Sequence, residues 1–152
     1  MPATPRRGAG DVFTAEGCVV SGGHTTEGPE AVMGFAVTGV EDGPRMRKGP
    51  MRPRDALVLT KALGTGALLA AGMRGAAKGR WVAAALAQMQ VSNAGAARVA
   101  REASVMACTD VTGFGLLGHL KEMLNASPGV GVELGECHDH VLGRVAATKA
   151  QR

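Results

Sequence analysis

Ala107-Cys108-Thr109-Asp110-Val111-Thr112-Gly113-Phe114-Gly115-Leu116-Leu117-Gly118-His119-Leu120 runs from a short apolar segment, past one acid, into a glycine-punctuated helix start. Val105 to Cys108 reads as a strand. Thr112 reads as the cap of a helix in which Leu116, Leu117, Leu120, Met123 and Leu124 recur at three and four residues, so that one face is buried. His119 falls on the polar flank of that helix and reads as exposed. A helix start leaves backbone N–H groups unpaired and carries partial positive charge, which suits phosphate. Asp110, fixed beside it, could hold a divalent cation against the same phosphate. Acids also favour helix starts for electrostatic reasons alone, so the chemistry leaves Asp110 as either a metal ligand or a structural acid.

Working outward, Ala56 to Thr60 is a short apolar run with the look of a buried strand. Ala67 to Met73 reads as helix. Trp81 to Met89 reads as a second helix, with Trp81, Ala85 and Met89 on one stripe and Val82 and Leu86 beside it. Ser92 or Asn93 caps a third through about Ala103. Val130 to Leu134 alternates apolar residues with Gly131 and Glu133, as a strand does. Helices alternating with strands imply an α/β or α+β layer structure.

The charged, proline-bearing stretch from Glu41 to Asp55 marks a surface connection or domain boundary. Before it, Cys18 to Ser21 and Val32 to Val40 read as two strands. Between these strands lies Gly22-Gly23-His24-Thr25-Thr26-Glu27-Gly28-Pro29-Glu30. Two glycines after a strand allow close backbone approach, and His24, Thr25 and Thr26 present donors and acceptors. The segment is either a triphosphate cradle or a tight interstrand turn. Neither glycine stretch matches the phosphate loop or the dinucleotide fingerprint.

Composition narrows the function classes. Aromatics make up 3% of the 152 residues, so packing rests on Ala, Val, Leu and Met, and base stacking is not expected. The net charge is +4, with Arg45, Arg47, Lys48, Arg52 and Arg54 clustered. Without interleaved aromatics this cluster reads as a solvated connecting loop, and no nucleic acid is expected as a partner. Three scattered cysteines make no disulfide framework, and no apolar run approaches the ~20 residues that span a bilayer. A reducing cytoplasm and no membrane are the expectation, although an acid-free, Arg-containing start also suits the end of an organellar transit peptide. Cys108 on its apolar strand reads as a buried, inert thiol. Cys137-His138-Asp139-His140 reads as a surface segment, because adjacent residues rarely converge on one ion.

Several blocks occur together in order. They are Gly22 to Glu30; Gly34-Phe35-Ala36-Val37-Thr38-Gly39; Leu57-Val58-Leu59-Thr60-Lys61-Ala62-Leu63-Gly64-Thr65-Gly66; Met89 with Ser92-Asn93; and Thr109 to His119. This series resembles the selenophosphate synthetase (selenide, water dikinase) family, within the wider aminoimidazole ribonucleotide synthetase-like superfamily. The resemblance covers about residues 11–135 and implies a truncation at both ends.

The resemblance implies an α+β fold. Residues 1–48 would be a remnant of the N-terminal ATP-binding domain, contributing its last strands. Residues 49–152 would be a partial C-terminal-type α/β sandwich, with 136–152 a divergent tail. It further implies a homodimeric enzyme that phosphorylates selenide with ATP to give selenophosphate, AMP and phosphate, for selenocysteine and selenouridine synthesis. Gly22, Gly23, His24 and Thr25 would touch ATP, and Asp110 would bind Mg2+. No catalytic residue is assigned, because the family's Cys/Lys segment and further aspartates have no counterpart here, and the chain alone is expected to be inactive. Two departures stand out: Ala62 where proline is usual, and Arg54 where the family has glycine before Asp55. The other readings are a non-catalytic module pairing with a full-length synthetase subunit, and another ATP enzyme of the superfamily. The length of the Thr109 to His119 match argues against the latter.

Overall fold

A computed structural model of the chain describes residues 4–41, 43–138 and 141–147. The chain divides into two compact units, Met1–Val40 and Glu41–Arg152. In the first, helix α1 spans Thr4–Ala15, with Pro5 in its first turn, where a missing N–H costs nothing. Its last turns close through Glu16 N–H to Val12 carbonyl at 3.0 Å and Cys18 N–H to Phe13 carbonyl at 2.7 Å. Phe13 meets Phe35 edge to face at 5.1 Å.

The two strands expected at Cys18 to Ser21 and Val32 to Val40 do not form; residues 18–41 hold neither helix nor strand. Their β-branched residues suit a pleated surface, but a strand exists only through a hydrogen-bonded neighbour. Among the described residues here no backbone ladder is made.

The second unit contains β1 (Ala56–Val58), α2 (Thr65–Met73), α3 (Gly79–Met89), α4 (Ala94–Glu102), α5 (Gly115–Asn125), β2 (Val130–His138) and β3 (Val141–Ala147). The mixture is α+β, as expected. The sheet has the order β1-β3-β2, antiparallel throughout. Ala56 faces Arg144 and Leu57 faces Gly143 before the register slips at Val58, while Val132 faces Val145 and Glu133 faces Arg144. β1 is shorter than the apolar run suggested and is not buried, because it is an edge strand with Ala56 and Val58 open to solvent.

Met51, Met123 and Val145 form the buried core of the sheet, with Leu57, Leu124, Val130 and Val132 packed around them. Helix α5 contributes Met123 and packs on β2. On α5, Leu120 and Met123 are buried, whereas Leu117 is exposed and lies outside the apolar face. Helices α2 and α3 pack on each other. Gln88 Nε2 donates to the Ala62 carbonyl at 2.7 Å, and Lys61 Nζ to the Val91 carbonyl. Of the α3 stripe only Ala85 is buried; Trp81 and Met89 are about half exposed. Ser92 Oγ accepts from Ala94 N–H at 3.0 Å just ahead of α4.

The strand expected at Val105 to Cys108 reduces to one parallel bridge, Arg47 to Ala107. Arg47 N–H donates to the Met106 carbonyl and Cys108 N–H to the Arg47 carbonyl, and among the described residues the segment pairs with no second strand. Asp139 and His140, and the side chains of Cys137 and His138, lie outside the described residues, and with them the surface reading of Cys137 to His140. No helix among the described residues is long and apolar enough to cross a membrane.

Candidate functional site

Asp110 is exposed on the segment that runs from the Ala107 bridge to α5. Thr109 Oγ1 donates to the Asp110 carbonyl at 3.2 Å. The turn into α5 is made by Gly115 N–H donating to the Thr112 carbonyl at 2.9 Å. Gly115 sits at φ 65°, a left-handed conformation that a side chain would strain.

Thr112 is not the helix cap. Phe114 holds that position without a side-chain cap bond, and Thr112 Oγ1 instead meets His119 Nε2 at 3.1 Å. His119 is 6% exposed, against the expectation of a polar flank. It lies three residues after Leu116 and four before Met123, on the face that packs inward. Burial is compatible with its polarity because both ring nitrogens are engaged: Nδ1 contacts Glu122 Oε2 at 3.1 Å. Lys48 Nζ donates to that same Glu122 oxygen at 2.7 Å. The Lys48 hydrogen bond first, and the His119 bond second, hold the Glu122 carboxyl below its ordinary range. This polar cluster was missed in the sequence, where only the i, i+3 spacing of His119 and Glu122 on α5 hinted at it.

Cys108 is exposed rather than buried, since the bridge it follows leaves one side open. Gly22, Gly23, His24 and Thr25 lie in the first unit, all exposed and not preceded by a strand; Asp110 lies in the second. The cavities lined by described residues of the second unit include the following two. One of about 220 Å³ is lined by Leu63, Trp81 and Gln88, and one of about 300 Å³ by Asp55, Ser104 and Met123. Asp110 lines neither.

Among the described residues no three His, Cys, Asp or Glu side chains converge. Magnesium takes one or two protein carboxylates and fills its octahedron with water and phosphate oxygens. The exposed Asp110 carboxylate could supply one oxygen ligand to such an ion, and the described residues make no closed protein site.

The family model of the AIR synthase related protein, C-terminal domain, matches residues 52–147. The chain belongs to this family. The match runs past Gly135 and takes in β3, the middle strand of the sheet. Selenide, water dikinase of Carboxydothermus hydrogenoformans is 40% identical over 133 residues, 87% of this chain and 39% of that protein. The protein of the same name from Desulfitobacterium hafniense is 43% identical over 122 residues, 79% of this chain and 36% of its own. That of Trichlorobacter lovleyi is 41% identical over 128 residues, 84% and 37%. The chain thus spans less than two fifths of the length of these relatives. The resemblance carried by the ordered motifs agrees with these matches. No solved structure matches the chain.

Proposed function

We propose that this chain serves selenophosphate synthesis: ATP-dependent phosphorylation of selenide, with release of AMP and phosphate, in the cytoplasm. The observation that carries the reading is the 40% identity over 133 residues to a selenide, water dikinase. In this reading residues 1–48 derive from the ATP-binding domain, with Gly22, Gly23, His24 and Thr25 contacting ATP, and residues 49–152 form the C-terminal-like domain that presents Asp110 to Mg2+. When bound, magnesium would neutralise phosphate charge and act as template. Phosphoryl transfer depends more on positioning and charge than on covalent chemistry by the protein. The exposed Asp110 carboxylate and the start of α5 supply the protein's share of that positioning.

With one acid in place, the chain is expected to release no AMP from ATP and selenide on its own. Turnover by the purified chain, abolished by Asp110→Ala, would overturn this. A full-length relative in which residues 52–147 of this chain replace the matching segment should release AMP, and should lose that activity on Asp110→Ala. A folded but inactive chimera counts against the synthetase reading.

The exposed apolar residues Val19, Val32, Val37 and Val40 favour a second reading, in which the chain pairs with another copy or with a full-length synthetase subunit. Co-expression with such a subunit, followed by size-exclusion chromatography, tests it; separate elution rejects it.

A further inference from the structure

Lys48, Glu122, His119 and Thr112 form a chain of three side-chain contacts of 2.7, 3.1 and 3.1 Å that joins three separate stretches of sequence. Chemistry sets the direction of each bond. An ammonium only donates and an ionised carboxylate only accepts, so His119 Nδ1 carries a proton toward Glu122. In the neutral ring Nε2 is then the acceptor, and the Thr112 hydroxyl donates to it. The ring is buried, with Phe114 tilted against it at 5.7 Å, and the opposite tautomer would aim a lone pair at the carboxylate. Thr112 is thus held twice, by its hydroxyl on His119 and by its carbonyl on Gly115, two residues beyond Asp110.

We propose that His119 is a positioning residue: its Nε2 steers Thr112 and holds the Asp110 segment against the start of α5, while Nδ1 rests on Glu122. The proposal deepens, and rests on, the reading of Asp110 as a cation ligand. The two nitrogens can be separated by substitution. His119→Gln keeps an acceptor near Nε2 for Thr112 and gives up the Glu122 contact. His119→Asn keeps a donor near Nδ1 for Glu122 and gives up Thr112. Because Asn is also one methylene smaller than Gln, Thr112→Val, which keeps the side-chain shape and removes only the hydroxyl, is the variant that separates positioning from packing.

The test uses the whole chain, with Mn2+ as the probe and paramagnetic broadening of the amide resonances of residues 109–115 as the readout. Broadening should centre on Asp110 and vanish in Asp110→Asn. His119→Asn and Thr112→Val should need about five- to tenfold more Mn2+ for the same broadening, while His119→Gln stays within about twofold of the parent. Equal behaviour of His119→Asn and His119→Gln overturns the proposal, and if His119→Asn does not fold, Thr112→Val carries the comparison. Broadening that survives Asp110→Asn removes the ligand reading instead. Hydrogen exchange of the Gly115 amide then decides on His119: faster exchange in His119→Asn, or in Thr112→Val, than in His119→Gln supports positioning, and equal exchange overturns it.

Discussion

Met51 and Ser127 are joined across 76 positions of sequence: the Met51 N–H donates to Ser127 Oγ at 2.8 Å in a buried setting. Ser127 is 1% exposed, so the bond is shielded from solvent. Ser127→Ala leaves a buried donor unpaired and should lower the unfolding free energy by about 1–3 kcal/mol in urea titrations. Gly49→Ala tests the same joint from the other side, because an added Cβ would press on the Ala126 carbonyl and stand 2.8 Å from Ser127 Oγ. A loss below that of Ser127→Ala would show that the joint can open.

Arg54 occupies φ 80°, in the region where glycine carries no steric penalty, and its N–H is held on the Val145 carbonyl at 2.8 Å. The departure from glycine noted at this position therefore costs conformational energy. Arg54→Gly is expected to stabilise the chain by up to about 1 kcal/mol, less the extra entropy that glycine brings to the unfolded state. Thermal unfolding of the pair checks the sign.

Glu122 ties stability to acidity. Its carboxyl is held below its ordinary 4.5 by Lys48 and His119, so the folded state binds the proton less readily than the unfolded state. The stabilisation is fully present above about 4.5 and is lost as pH falls through the lowered folded value. The stability gap between the parent and Glu122→Gln should accordingly be flat near neutrality and shrink in acid. A gap that widens below 4.5 contradicts the cluster.

Residues 18–41 carry no regular structure, and Glu27 and Glu30 are exposed there. Backbone without a ladder opens at little cost. Brief digestion with a glutamate-specific protease should cut at these two sites before Glu122 on α5 or Glu133 on β2, as read by intact mass. Equal early cleavage at Glu133 would show that the sheet opens as readily.

Helices α3 and α5 were legible because the 3.6-residue pattern is local; α4 follows its Ser92 or Asn93 cap and α2 a continuous apolar run, and α1 was not foreseen. Strands depend on partners that spacing cannot reveal. Val32 to Val40 has strand composition and no strand neighbour among the described residues, while β3 pairs on both edges in a stretch beyond the ordered motifs. The site divides the same way. Asp110 stood out beside its glycines, but His119 was judged by polarity alone, and the Glu122 carboxylate it meets is also held by Lys48, from far earlier in the second unit's sequence. No spacing rule links those two positions.

β3 follows β1 and β2 in the chain yet lies between them, and its partner β1 is separated from it by four helices and β2. During synthesis, therefore, neither outer strand has anything to pair with until the middle one has left the ribosome, and loop closure must precede any reward from pairing. The helices α2 to α5 are available well before the sheet. A nascent chain halted before Val141 would hold its apolar strands open, so the emergence of β3 is the step that commits the sheet to its fold.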